Sequence, residues 1–571
     1  MIEIEFKDIL DILEIKEEYQ IQGALIKVLF SESKNAFLDK FMQLGFDLSN
    51  DFIRDIFEQE VANRKSLKQD YTPSCICSLI SKLCNKQDEV LDVCSGVGSL
   101  SLKINANNNA RNFVFEEISD MSISLLLLNL AIRNMSADVY KKDVLTQQIY
   151  EHYKLSKGLK YSDIEKVENI EESKKYNCIV SNPPYSLKWD AFNDERFWNY
   201  GIAPKSKADY AFILDILYRL GRNGKAYIIL PHGVLFRSKE ESEIRKALIH
   251  DNVIDCIIGL PDKLFMNTDI PTIVMCLKKG KTDKDILFID ASKNFDKSGK
   301  KNTLNDLQIE KIIETYRDRK DVEKYSRKIS FEEIQENEFN LNIPRYIDNF
   351  EKDEPIDIKA SIDEIICLED EIHRTNLGIA KMMGELSGDT EYEITKKQII
   401  DHLTTNYVYE ISDALNSIFN FMQNEKCLKK HKEINLIDIV SIERRKKDKI
   451  YKKGSILIQL SATRGQMYYL SEDSEVDAKY GVMTAIDQIN TKYLYYMIQI
   501  RMPKFLNIYQ TGLNIVPDVF KHMKIQIHTD IDIQNKIAEM FDNLEIIEKR
   551  YLDNIENWKN VKKYHLDNML V

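Results

Sequence analysis

The chain has 571 residues, of which 43% are hydrophobic and 30% charged, with 80 Lys and Arg against 92 Asp and Glu for a formal net charge of −12. That length exceeds one hydrophobic core, so about three or four folded units are expected. The composition excludes a disordered or fibrous chain; no apolar run is long enough for a membrane span, and the acidic opening MIEIEFKDIL is unlike a signal peptide.

In chain order, residues 1–65 are expected to be helical, through amphipathic stretches such as AFLDKFMQLGF and DFIRDIFEQEV. From about residue 85 to 290 short apolar strands alternate with helices. EVLDVCS, NFVFEEI, YNCIVSN, KAYIILP, NVIDCIIGL, TIVMCLK and DILFIDA read as strands, and MSISLLLLNLAIRNM, ADYAFILDILYRLG and SEIRKALIHD as helices. That alternation predicts a mostly parallel sheet wrapped by helices. The charged residues 146–176 are expected to form a surface insertion. Ile358, Ile365, Ile372, Ile379 and Leu386 recur every seven residues, which predicts a helical arm with these residues along its seam. Residues 432–528 turn β-rich. After them Ile537, Leu544, Tyr551 and Trp558 repeat at seven, with Met540, Ile547 and Val561 on the same side.

The nine cysteines form no Cys-x-x-Cys pair, so neither a metal site nor a disulfide framework is expected, and reduced thiols in a cytoplasmic protein are. Chemistry concentrates at the predicted strand ends. In LDVCSGVGSL a strand gives way to Gly96 and Gly98 and then a helix, which lets a ligand approach the backbone and a helix amino terminus; Asp92 at the strand end can accept hydrogen bonds from an ammonium or hydroxyl. In FVFEEISD, Glu117 at the tip of the next strand is placed to hold a ribose diol, with Glu116 as its less favoured neighbour. Asp143 in KKDVL would meet an adenine amino group, and Tyr71 and Thr72 of QDYTPS would line the same pocket.

SNPPYSLKW, residues 181–189, follows a strand with two prolines and an aromatic. The prolines stop the strand and fix the backbone. Asn182 and the Pro183 carbonyl can then both accept from one exocyclic amino group, Pro184 holds the turn, and Tyr185 offers a ring face for a base. No cysteine sits in a Pro-Cys pair suited to attack on cytosine C5.

DVCSGVG, an acidic second strand, KKD and NPPY in this order resemble the amino-group DNA methyltransferases. NPPYSLKWDAFNDERFWNYGIAPKSKADYAFILDILYRL, GKAYIILPHGVLFRSKEESEIRKAL, IIGLPDKLFMNTDIPTIVMCLKK and FNLNIPRY resemble, more narrowly, the modification subunit of type I restriction–modification systems over about residues 65–350. The resemblance implies a Rossmann-like α/β sheet that uses S-adenosyl-L-methionine to methylate adenine N6 in duplex DNA. It implies cofactor contacts from Tyr71, Thr72, Pro73, Asp92, Cys94, Gly96, Gly98, Glu117, Asp143 and Asn182. Val93 and Cys94 stand where the family more often has proline and alanine, a departure that touches cofactor affinity rather than fold. Asp209 and Phe212 in ADYAF, and His232 and Phe236 in LPHGVLF, are family signatures too. ADYAF is expected to form the wall between cofactor and target base, and LPHGVLFR to be either functional or sheet packing.

The tail departs from such a subunit. KKGSILIQLSATRG, KYGVMTAIDQINTKYLYYMIQ, YQTGLNIVPDVFKHMKIQIH and IQNKIAEMFDNLEIIEKRYLDNIENWKNVKKYHLDNML resemble one half of a specificity subunit. Within it the run RRKKDKIYKK places Arg444, Arg445, Lys446, Lys447, Lys449, Lys452 and Lys453 where they can neutralise phosphates. The expected organisation is a helical region over 1–65, a methyltransferase domain over 66–348, a helical connector over 349–390, an α+β target-recognition domain over 391–530 and a terminal long helix over 531–571. Expected partners are double-stranded DNA, a second copy through the helical arms and a separate restriction subunit, in a bacterial or phage-encoded cytoplasmic protein without a membrane partner or bound metal. Rival readings are a recruiting role for a separate nuclease, and the same amino chemistry on cytosine N4, RNA or a protein glutamine. No nuclease pattern or helicase P-loop is visible.

Overall fold

The computed structural model describes residues 6–48, 51–57, 71–84, 86–107, 110–168, 174–266, 268–350, 357–387, 390–405, 412–413, 415–417, 420, 431–461, 465–486, 488–510 and 514–569. Gln69 and Asp70 of QDYTPS and parts of the SATRG and YQTGLN stretches lie outside them, as do the side chains of Tyr551, Trp558 and Val561. The chain divides into two compact units, Met1–Asn349 and Phe350–Val571.

The first unit is built on strands β1 (Gln87–Val93), β2 (Ala110–Glu117), β3 (Ala137–Asp143), β4 (Gln148–Ser156), β5 (Asp163–Val167), β6 (Tyr176–Ser181), β7 (Leu220–Pro231), β8 (Ile254–Gly259), β9 (Thr272–Lys278), β10 (Ile286–Asp290), the small hairpin β11 (Asp296–Ser298) and β12 (Lys301–Thr303), and β13 (Ser326–Ile329). All but the hairpin join one eleven-stranded sheet in the order β13-β10-β8-β9-β7-β6-β1-β2-β3-β4-β5. The five central strands from β3 to β7 run parallel. Both flanks are antiparallel except for the β8–β10 pair, so the expectation of a mostly parallel sheet holds for the centre alone. The polar stretch expected to loop out over 146–176 instead supplies β4 and β5. Tyr153 and Leu155 on β4 turn inward and are buried, which gives that strand a reason to pair.

Strand residues alternate between two cores. Val90, Phe113, Phe115 and Val139 face one and Leu91, Val93, Val114 and Tyr140 the other, as the two-residue period requires. The helix Asp120–Ile132 buries eleven of its thirteen residues, because the sheet covers one side and the helix Ile21–Leu29 packs on the same core cluster. Ile21, Leu25, Leu38 and Phe41 are wholly buried in that cluster, so the amino-terminal helices share the sheet's core rather than owning one.

The chain leaves β1 toward β2 and β3 on one side and returns through β6 and β7 on the other. The direction of winding therefore reverses between β1 and β6, and the crevice at their carboxyl ends is where open α/β sheets take ligands.

In the second unit, strands Val440–Arg444, Tyr480–Ala485, Ile456–Gln459 and Met467–Tyr469 form an antiparallel sheet, and His431–Asn435 pairs with Lys524–His528. The stretch read as β-rich also contains the helix Thr491–Tyr509, capped by the Asn490 side chain on the Tyr493 N–H at 2.8 Å, with Leu494, Ile498 and Met502 buried at helical spacing. The arm is the helix Ile358–Gly384, but its buried line runs through Ile362, Glu369 and Ala380. Ile358 and Ile372 of the expected seam stay 42% and 49% exposed, and Leu386 lies past the helix end. The final helix, Ile531–Met569, buries Ile533, Ile537 and Ala538 in the core of the β-rich module.

Candidate active site

The carboxyl ends of β1, β2, β3 and β6 open on a cavity of about 290 Å³. Its walls include Tyr71, Thr72, Asp92, Cys94, Gly96, Glu117 and Asp143, and also Asn182, Pro183, Pro184 and Tyr185. The predicted cofactor residues and the predicted amino-group clamp thus share one space. Pro73 and Gly98 do not line it. Pro73 precedes the helix Ser74–Leu83 and its carbonyl accepts from the Ile76 and Cys77 N–H groups. Gly98 has φ +88°, and a Cβ there would lie 2.7 Å from Leu126, so this glycine serves close packing of helix on sheet.

Asp92 sits at the floor, 1% exposed. Ser101 donates to its Oδ2 at 2.7 Å, whereas its Oδ1 has no partner among the described residues, and burial pushes its carboxyl up to about 7. The Ser95 hydroxyl, on the same wall, is likewise buried without a partner. Both residues line the cavity, and two buried polar atoms left without partners among the described residues are suited to a charged, hydrogen-bonding ligand. Glu117 is tied from both sides: the Gly96 N–H donates to Oε2 at 2.8 Å, and the Ile118 and Ser119 N–H groups donate to Oε1 at 2.9 and 2.8 Å. Burial raises its carboxyl despite these donors. The turn at Gly96 needs φ +56°, and Cys94 beside it is held at φ +58°. Asp143 folds back on the backbone N–H groups of Leu145 and Thr146.

On the opposite wall, Asn182 is half-buried. Its Nδ2 donates to Thr72 Oγ1 at 3.0 Å, and its Oδ1 accepts from the Tyr185 hydroxyl at 2.8 Å. Tyr185 meets Phe265 edge-on at 5.9 Å. Ser186 then turns at φ +51° and its N–H donates to Asp209 Oδ1 at 2.8 Å, while Arg237 holds Asp209 Oδ2 at 2.6 Å. Of the ADYAF signature, Phe212 lines the cavity and Asp209 anchors the loop behind it. His232 lies off the cavity, edge-on to Phe236 at 5.5 Å, and burial lowers its ring to about 4, so LPHGVLFR contributes the anchoring Arg237 and otherwise packing.

Beneath the floor runs a buried chain of ion pairs that single motifs did not reveal. Glu116, wholly buried, takes Lys142 at 3.0 Å and Arg219; Asp215 pairs with Arg219 and, at 3.1 Å, with Arg196. Arg196 also donates to the carbonyls of Val144 and Leu145 at 2.9 and 2.7 Å, fixing the turn after Asp143. Among the described residues no group of His, Cys, Asp or Glu could hold a metal.

In the second unit the basic run lies on and after the strand Val440–Arg444. Lys446 and Lys449 both pair with Glu443 and hold its carboxyl down to about 2; Lys452 pairs with Asp473 at 2.7 Å. Arg444, Arg445, Lys447 and Lys453 have no ion-pair partner among the described residues.

The N-6 DNA Methylase model matches residues 48–355, and the type I restriction modification DNA specificity domain model matches residues 405–557. The MpnII type I methylase subunit of Mycoplasma pneumoniae is 30% identical over 389 residues, 63% of this chain and 69% of that one. The MjaVII methylase subunit of Methanocaldococcus jannaschii is 30% identical over 350 residues, 57% of each chain. A crystal structure of a type I restriction–modification methyltransferase subunit from Streptococcus thermophilus is 33% identical and matches 58% of this chain and 75% of that one, with a TM-score of 0.46. No described helix is long and apolar enough to cross a membrane. The chain belongs to the N-6 DNA methylase family, DNA methyltransferases acting on the amino group of adenine, and carries a type I specificity domain on the same polypeptide.

Proposed function

We propose that the chain transfers a methyl group from S-adenosylmethionine to N6 of an adenine turned out of duplex DNA, at sites chosen by its own β-rich module. The observation that carries this reading is that Asp92, Glu117 and Asn182–Tyr185 face one cavity at the point where the winding of the sheet reverses. S-adenosylmethionine, when bound, supplies an electrophilic sulfonium methyl. Asp92 Oδ1 and the Ser95 hydroxyl are the free partners for its polar groups, Glu117 is placed for a ribose diol, and Asp143 for an adenine amino group. Asn182 Oδ1 and the Pro183 carbonyl accept hydrogen bonds from the target amino group, which draws its nitrogen away from conjugation with the ring. The Pro183–Pro184 backbone and the Asp209–Ser186 bond keep these acceptors from reorganising. Turning the base out costs roughly a few kcal/mol, which stacking on Tyr185 partly offsets.

On the same reading the compartment is the cytoplasm of a bacterial or phage-infected cell. The exposed Ile358, Leu368, Ile372 and Met382 offer a face for a second copy, and the curated relatives named as type I subunits support a separate restriction subunit as partner. One preparation tests the set. The purified chain is incubated with unmodified bacterial chromosomal DNA and S-adenosylmethionine, and the digested nucleosides are weighed. N6-methyladenine is expected; N4-methylcytosine, or no methylated base, overturns the proposal. Light scattering gives the mass, and co-purification from the native host shows a helicase-nuclease partner if one binds.

The free cations of the β-rich module should neutralise the DNA phosphates. Replacing Arg444, Arg445, Lys447 and Lys453 with Ala should flatten the salt dependence of DNA affinity by about 0.9 log units per log of salt for each phosphate left unneutralised. The same change at Lys446, Lys449 and Lys452 should do less, because Glu443, shared by the first two, and Asp473 already offset two of their three charges. Anisotropy titrations from about 50 to 200 mM salt give the slopes; equal slopes for the two sets would refute the assignment.

A further inference from the structure

We infer that Thr72, on the wall of the cavity, is also a positioning residue for the Asn182 amide, and that Arg54 of the amino-terminal helical region holds it in place. The inference rests on the reading of Asn182 given above. A side-chain amide has two unlike ends: the oxygen only accepts and the nitrogen only donates. Methyl transfer needs the oxygen presented to the target, whose amino group is itself a donor. The nitrogen end must then be satisfied elsewhere, and Thr72 Oγ1 satisfies it at 3.0 Å.

These tethers on the amide, to Thr72 and to Tyr185, differ in kind. Tyr185 stands half-buried on the cavity wall, so its hydroxyl can leave Asn182 Oδ1 when a base arrives. Thr72 is 6% exposed, and its own carbonyl accepts from Arg54 at 3.2 Å and from the Cys77 thiol at 3.6 Å. Arg54 is 8% exposed, and its N–H is capped by the Asp51 carboxylate at 3.2 Å. The same Asp51 accepts from Ser99, at the start of the helix after the glycine turn, and from Asn129 at 3.3 Å. One short segment, 51–54, therefore braces both the start of the helix after the Gly96 turn, through Ser99, and the residue that holds the Asn182 amide. On entry of the target, Tyr185 gives up the oxygen to the incoming amino group while Thr72 keeps the nitrogen, so the amide plane stays fixed through the transfer.

Thr72→Val keeps the shape and removes the acceptor; Thr72→Ser restores it. With unmodified bacterial chromosomal DNA, and tritiated S-adenosylmethionine at saturation, Thr72→Val should lower the single-turnover rate at least about tenfold, the effect of losing about 1.4 kcal/mol of support for the Asn182 amide. At saturating cofactor this loss is independent of any change in cofactor Kd, and Thr72→Ser should recover the rate to within about threefold. Should Thr72→Val fail to fold, Arg54→Met supplies the second measurement, with a fall in rate at unchanged Kd expected. A Thr72→Val protein whose cofactor Kd rises about tenfold or more while its saturated rate is unchanged overturns the inference, as does one in which neither moves. Asn182→Ala in the same assay separates the two levels. If that variant still turns over, the reading of the pocket falls; if it is inactive while Thr72→Val behaves as wild type, only the positioning role does.

Discussion

Asn182→Ala is expected to lower the methyl-transfer rate by about a thousandfold or more while leaving cofactor and DNA affinities within about twofold, the pattern of a group whose interaction strengthens only in the transition state. The amino nitrogen of adenine is a poor nucleophile because its lone pair is shared with the ring. Two acceptors on its hydrogens favour a pyramidal nitrogen with an available lone pair. The Pro183 carbonyl is backbone and cannot be removed by substitution, so the amide oxygen is the one acceptor that mutation can delete. The loop itself should survive, because it is anchored by the Ser186 N–H on Asp209 and by Arg237 behind it, not by Asn182. Single-turnover rates, cofactor titration and DNA anisotropy on one variant check the claim. Near-normal turnover removes Asn182 from the chemistry; a large loss of cofactor affinity moves it to the binding site.

The second large effect concerns Asp92. Its carboxyl is pushed up to about 7 by burial, the residue lines the cavity, and its buried Oδ1 has no partner among the described residues. A cationic group bound there favours the carboxylate, so binding should release a proton and tighten as pH rises. With the free site half-protonated near 7, cofactor Kd should fall about tenfold between pH 6 and pH 8. Asp92→Asn should flatten that profile and weaken binding at pH 8 by about 30-fold or more, the lower end of the ~2–5 kcal/mol cost of breaking a buried charged pair. Calorimetry in buffers of different ionisation enthalpy reads both the affinity and the proton. A wild-type Kd independent of pH, with no proton released, would place the ammonium elsewhere. Stability without cofactor runs the other way. The folded carboxyl keeps its proton up to about 7 while the unfolded one loses it near 3.9, so Asp92 costs increasing stability as pH rises through that window. The melting temperature of free Asp92→Asn should therefore exceed that of wild type at pH 8 and match it near pH 4.

These two experiments probe different walls of one cavity, and the sequence reached the two walls to different depths. The first residue to act at each strand end was legible: Asp92, Gly96, Glu117, Asp143 and the SNPPY loop all reach the cavity. Each is the local end of a strand whose apolar run and turn chemistry lie within ten residues of it. The holders of those residues were not legible as holders. Ser186 and Asp209 are 23 residues apart, Asn182 and Thr72 are 110, and Arg219 and Glu116 are 103. Nothing in a linear pattern pairs a threonine before the sheet with an asparagine beyond its fourth parallel strand. Ser95 could have been suspected from its place inside DVCSGVG, but its orphaned hydroxyl is a fact of packing alone.

By itself, then, the sequence determined the alternating strands and helices, the order of the strand-end motifs and the presence of a second, β-rich module, because each is encoded by periodicity or by a short run of neighbours. Tertiary structure decided the rest. It made β4 and β5 out of a charged stretch, since an open edge of β3 rewards pairing that composition does not advertise. It took Gly98 out of the cavity because Leu126 comes too close, and it moved the buried line of the arm from Ile358 and Ile372 to Ile362 and Glu369. It also separated the basic run into cations paired with Glu443 or Asp473 and cations with no ion-pair partner among the described residues. Some of the deciding partners are distant along the chain, as Leu126 is from Gly98, and others are near, as Glu443 is to Lys446; in both, contact energy depends on where side chains meet in space.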